Sequence, residues 1–122
     1  MVTELDTFQC VEMSIFDTST LTGSYQGMNL AANYTIFTGN GFQFPIKVLI
    51  FYNAGTTAVQ ISYDGVTNND IMPGGATRIM DLQANHKDFS SYGAGTLIGR
   101  QGQIVYGKGT AGTGNFYIAG YF

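Results

Sequence analysis

The sequence predicts an all-β protein, a single antiparallel β-sandwich or jelly roll with an extended N-terminal arm. Three observations carry that prediction. Apolar and polar residues alternate with a period of two in several short runs, as in Val59-Gln60-Ile61-Ser62-Tyr63. Glycine is abundant, 17 of 122 residues, and 14 of these lie from Gly41 onward at roughly the turn spacing of a sandwich. Eight Tyr and nine Phe accompany only 11% charged residues, a composition that suits short strands and tight turns rather than long helices.

The stretch from Thr57 to Leu82 sets the pattern. Thr57–Tyr63 reads as a strand, and Asp64-Gly65 breaks it. Thr67-Asn68-Asn69-Asp70 offers side chains that hydrogen-bond local backbone. Pro73-Gly74-Gly75 supplies a second break, with the φ > 0 residue that a type II turn needs. Ala76–Leu82 then resumes in extended form. Upstream, Asn33–Thr38 reads as a strand closed by the turn Thr38-Gly39-Asn40-Gly41. Phe42–Asn53 follows with Pro45 near its start. Val48, Ile50 and Tyr52 face one way, Lys47, Leu49 and Phe51 the other. Both faces are largely apolar, which marks a central strand. Asn53-Ala54-Gly55-Thr56 is expected to close a hairpin. Thr96–Ile98, Gln103–Tyr106 and Asn115–Phe122 read as the last strands, with Phe116, Ile118 and Gly120 on one face and Tyr117, Ala119 and Tyr121 on the other. Glycine-rich loops join them.

Two units are expected: residues 1–26 as an N-terminal arm or edge segment and residues 27–122 as the sandwich domain. Val11, Met13 and Ile15 share a face if extended. Residues 1–46 hold Glu4, Asp6, Glu12 and Asp17 and no Lys or Arg, whereas the five basic residues come later. A basic patch able to neutralise phosphates is missing, which argues against nucleic-acid binding. The longest apolar run, Val48–Tyr52, is too short to span a bilayer, and the first residues do not resemble a signal peptide. Cys10 is alone, so neither an intrachain disulfide nor a multi-cysteine zinc site can form.

Motifs for chemistry are weak. Gly102-Gln-Ile-Val-Tyr-Gly107-Lys108 matches most of a phosphate-binding loop, but Gly109 replaces the Ser or Thr that holds magnesium, and Ile104–Tyr106 reads as a strand. Gly109–Gly114 reads as a flexible hairpin loop. His86 sits in a polar stretch and pairs with no nucleophile motif. Asp64, Asn68, Asn69 and Asp70 have oxygen ligands but not calcium-loop spacing, and turn capping explains them better. Tyr92, Tyr106, Tyr117 and Tyr121 could stack on sugars, although alternation places most of them in sheets. Neither a cofactor, nor a metal, nor a catalytic residue is expected, and the chain does not read as an enzyme.

NAGTTAVQISYDGVTNNDIMPGGATRIMDLQAN, from Asn53 to Asn85, followed by QIVYGKGTAGTGNFYIAGYF at the end, resembles small β-sandwich structural proteins of tailed-phage virions. The similar pieces are the strand into SYDG, the D-x-x-P-x-G turn, the DLQAN strand end and the terminal GTGNFYIAGY strand. The resemblance covers roughly Phe51 to Phe122. It implies a virion structural protein on the capsid surface, a decoration or cement protein that binds and stabilises the major capsid protein shell as a dimer or trimer. The alternatives are a head-fibre or tail-adaptor module or a carbohydrate-binding sandwich of the virion. In the decoration reading the arm residues Glu4, Asp6, Phe8, Val11, Glu12, Met13, Ile15, Phe16 and Asp17 would contact the partner. Deleting residues 1–17 would then leave a folded domain that no longer binds shells.

Overall fold

The computed structural model describes residues 11–30, 41–82 and 98–122. These form eight strands: β1 (Val11–Asp17), β2 (Gln26–Gly27), β3 (Val48–Asn53), β4 (Val59–Ser62), β5 (Asp70–Met72), β6 (Thr77–Asp81), β7 (Tyr106–Gly109) and β8 (Asn115–Tyr121). One antiparallel sheet has the order β1-β8-β3-β6, here sheet A, and the other the order β2-β7-β4-β5, sheet B. Two four-stranded sheets wound in these orders are a jelly roll, as the composition and periodicity predict.

The expected pattern holds for β3, β4, β6 and β8. Leu49 and Phe51 of β3 and Phe116 and Ile118 of β8 point into the core, where they meet Val59, Ile61 and Met72 of sheet B. The Phe51 and Phe116 rings lie 5.7 Å apart and tilted, the arrangement aromatic pairs prefer. Gly120 lies on the same inner face, and a Cβ there would sit 2.7 Å from Ile46 Cδ1. The Pro73–Ala76 turn forms as the residues dictate, with Ala76 N–H donating to the Pro73 carbonyl at 3.0 Å and Gly75 at φ 84°.

Several expectations are corrected. Asn53–Thr56 does not close a hairpin, because β3 belongs to sheet A and β4 to sheet B. The chain crosses between sheets there, and Asn53 fastens the crossing. Its buried side-chain amide donates to the carbonyls of Thr57 and Met72, both at 2.9 Å, and its Oδ1 accepts from Gly55 N–H at 2.9 Å. β5 occupies part of the stretch read as a polar loop. The strand expected at Gln103–Tyr106 forms three residues later, at Tyr106–Gly109. The loop that follows is pinned rather than a flexible hairpin: Gly112 N–H donates to the Thr18 carbonyl and Thr113 N–H to Thr56 Oγ1. Phe42–Lys47 is not strand. The Asn33–Thr38 strand, the Thr38–Asn40 part of its turn and nearly all of Thr96–Ile98 lie outside the described residues.

The boundary at residue 26 does not separate an arm from the sandwich. β1 pairs with β8 along its whole length, from Val11↔Tyr121 to Asp17↔Asn115, and β2 pairs with β7 across that boundary. Of the two readings for this segment, the edge strand is the one found for residues 11–17. Residues 1–10 lie outside the described residues. Deleting residues 1–17 would strip an edge strand from the core, so a folded truncated domain is no longer expected.

Asn53→Ala should destabilise the protein by about 3 kcal/mol, since three backbone groups, two of them buried, lose their partner together. Urea denaturation measures this, and a midpoint equal to that of the unsubstituted protein would contradict the role given to Asn53.

Candidate interaction face

β1 is laid down in an unusual sense. Its apolar row, Val11, Met13 and Ile15, pairs with Tyr121, Ala119 and Tyr117, which face away from the core, while Glu12 and Ser14 point inward and are fully or nearly fully buried. The buried polar groups are satisfied. The Glu12 carboxylate accepts from the N–H groups of Gln43 at 2.8 Å and Phe44 at 2.7 Å, and Ser14 Oγ donates to the Met28 carbonyl at 2.8 Å. Placing the polar row inside therefore leaves no orphaned donor or acceptor.

The same register extends the outward apolar row across sheet A. Val48, Ile50 and Tyr52 of β3 lie beside Tyr121, Ala119 and Tyr117 of β8, and Asp81, Ile79 and Thr77 of β6 follow. The outer face of sheet A is thus three rows of side chains that are apolar except for Thr77 and Asp81 at one edge. Ile79 is 67% exposed, Tyr121 43% and Tyr52 42%. The Tyr52 and Tyr117 rings stack at 5.8 Å, and beside them Met13, Ile50, Ala54 and Ala119 line a shallow depression of about 450 Å³. With strands ~4.8 Å apart and rows ~6.7 Å apart, the face spans roughly 400 Å² in plan, the size of the largest apolar patch on a typical monomer.

The residues expected to bind a partner divide accordingly. Val11, Met13 and Ile15 come together on this face. Glu12 and Phe16 do not: Glu12 is buried, and Phe16 packs against the core. Asp17 caps the following 3-10 turn, accepting from Ser19 N–H at 2.9 Å, and that bond holds its carboxyl below the ordinary aspartate value. Glu4, Asp6 and Phe8 lie outside the described residues. Sequence reasoning missed Ile79, and it took Val48, Ile50 and Tyr52 for a buried face. The available signal was that both faces of β3 are apolar, which fits an uncovered sheet face as well as a central strand.

Other candidates for chemistry resolve into structure. Asp64 caps its own loop: Oδ1 accepts from Val66 N–H, Thr67 N–H and Ser62 Oγ, and Oδ2 from Thr67 Oγ1, all within 2.8 Å. These bonds push its carboxyl well below the usual carboxylate range. The second half of the Gly102–Lys108 motif is strand β7, with no helix after it. Among the described residues no group of three or more His, Cys, Asp or Glu side chains could hold a metal, and no helix is long and apolar enough to cross a membrane. His86, Cys10 and Tyr92 lie outside the described residues.

Comparison with known proteins found no matching family model, no matching curated protein and no matching solved structure.

Glu12 and Asp64 give opposite pH signatures. Burial pushes the Glu12 carboxyl above its ordinary value, and its two amide bonds offset only part of that. The folded state then holds this proton more tightly than the unfolded chain, so the Glu12 contribution is full at acid pH and lost as pH rises through the raised value. Asp64 contributes above the ordinary aspartate range, and that contribution is lost as pH falls toward its lowered value. The melting-temperature advantage of the unsubstituted protein over Glu12→Gln should therefore shrink between about pH 4 and about pH 7. A gap that stays constant over this range would contradict the assignment.

Proposed function

We propose that this protein is an attachment module of a phage virion, most specifically a capsid decoration protein that binds the major capsid protein shell through the outer face of sheet A. The observation that carries the attachment reading is the inverted β1. An edge strand that buries Glu12 and Ser14 and turns Val11, Met13 and Ile15 outward has directed its apolar row at something other than its own core. The outer face joins that row to those of β8, β3 and β6, and the depletion of charge resembles the buried centre of a protein interface. The virion assignment rests on the resemblance of Phe51–Phe122 to small phage structural sandwiches.

Size supports a repetitive target. Roughly 400 Å² in plan is about half of what each partner contributes to a standard stable interface. One such contact is weak. A shell presents the same contact many times, and a dimer or trimer of this protein engaging several positions gains affinity through effective concentration. That arithmetic favours a decoration protein over a one-to-one adaptor. Jelly rolls serve both capsid and lectin proteins, so the architecture itself is neutral between attachment and sugar binding.

Ile79→Lys tests the reading. Ile79 is highly exposed on edge strand β6, so the substitution should leave the melting temperature within a few degrees. It places a charge in the face that must be desolvated on docking, and co-sedimentation with empty shells should fall by tenfold or more. Undiminished co-sedimentation of folded Ile79→Lys protein would remove sheet A from the account.

A further inference from the structure

The opposite surface of the sandwich has a different chemistry. On the outer face of sheet B, Gln60 of β4 lies directly between Lys108 of β7 and Ile71 of β5 in the strand register. Neighbours in such a row are ~5 Å apart, so an ammonium, an amide and an apolar side chain are set in line across three strands. Two shallow depressions flank the row. One of about 710 Å³ runs past Thr57 and Lys108, and one of about 330 Å³ runs past Asn68 and Asp70; Gln60 and Ile71 line both. Together they make one open groove over the sheet.

The walls of the groove are held firmly. Asp64 fixes the loop leading to Asn68, Asn69 Oδ1 accepts from Tyr63 N–H at 2.9 Å, and Asn69 N–H donates to the Ile61 carbonyl. Tyr25 reaches across from the segment before β2 and donates its hydroxyl to Asn68 Oδ1, which leaves the Asn68 amide N–H groups to point elsewhere. Lys108 Nζ sits 4.6 Å above the centre of the Tyr25 ring, a contact that restricts the long side chain without neutralising its charge. At the other end Asp70 is already paired with Arg78 at 2.8 Å. Among the described residues neither the Gln60 amide nor the Lys108 ammonium has a hydrogen-bond acceptor or carboxylate partner. Ile71 is 49% exposed.

We propose that this groove binds an acidic oligosaccharide. The apolar face of a sugar ring would lie on Ile71, ring hydroxyls would bond the Gln60 and Asn68 amides, and a sugar carboxylate would pair with Lys108. A shallow open groove with a rigid floor admits a chain that passes through it, and prior ordering of the walls lowers the entropy lost on binding. A carboxylate fits because, among the described residues that line the groove, Lys108 is the cation, and the Asp70 charge is balanced by Arg78. This inference is independent of the shell reading, since it uses the other sheet.

The test is titration of the full-length protein with 3′-sialyllactose, with a trigalacturonate and with neutral lactose, followed by chemical-shift changes. Saturable binding of at least one acidic sugar is expected, with lactose roughly tenfold weaker or worse, as loss of a charge-assisted bond implies. Lys108→Met should weaken the acidic sugar to the level of lactose, and Gln60→Ala should weaken both sugars. Ile79→Lys, on the opposite sheet, should bind as the unsubstituted protein does, which separates failure of this site from failure of the shell surface. Absence of saturable binding to either acidic sugar, equal binding of lactose, or full binding by folded Lys108→Met protein would overturn the proposal.

Discussion

The register of β8 between β1 and β3 is the constraint on which the rest of the structure depends. β8 is a central strand whose two faces both carry large side chains, Phe116 and Ile118 inward, Tyr117 and Tyr121 outward. A slip of one residue would exchange these sets and put two tyrosines into the core. Because β1 and β3 pair with β8 along their lengths, the same register decides which of their residues face out. It aligns Val11, Met13 and Ile15 with Val48, Ile50 and Tyr52 across the sheet. The apolar outer face is thus a consequence of the pairing that builds the core.

Polar side chains complete what the ladders begin. Asn53 ties the β3–β4 crossing to the end of β5. Asn29 bridges the Gln103 carbonyl and Val105 N–H, and Gln103 accepts from Gly99 N–H. Glu12 takes the two N–H groups of Gln43 and Phe44, which lie outside any strand. Each of these residues is buried, and most of the backbone groups they serve lie in connections outside the strands. A sandwich with short strands and many connections needs such anchors, and they leave the two outer faces free to differ. Sheet A presents an apolar surface suited to a protein partner, and sheet B a polar groove around Lys108 and Gln60.

Much of the fold was legible in the residues. The alternation in β3, β4 and β8 located those strands, Pro73-Gly74-Gly75 announced its turn, and the extended run after that turn located β6. β5 was hidden because it has three residues and opens on Asp70 inside an asparagine-rich stretch. β7 was placed too early because Gly107-Lys108-Gly109 reads as loop; Gly107 belongs in the strand because Met28 Sδ packs where its side chain would be, 2.4 Å from a Cβ built there. The Asn53–Thr56 segment has hairpin composition, and only the long-range bonds of the Asn53 side chain send it to the other sheet. β1 shows the deepest limit. Its period of two was evident, but periodicity does not say which row faces the core, and an apolar row beside a Glu and a Ser is ordinarily assigned inward. Glu12 finds its partners some thirty residues away, where local pattern cannot reach. The apolar outer face of sheet A depends on that inversion, so it became visible only in three dimensions.

The most direct test of the central claim, that the outer face of sheet A is where this protein attaches, is covalent footprinting of the protein free and bound to empty capsid shells. The account predicts that labelling of Tyr52, Ile79, Tyr117 and Tyr121 falls on binding while Ile71 and Lys108 stay as reactive as in the free protein. Protection of Ile71 and Lys108 with sheet A fully labelled would contradict it.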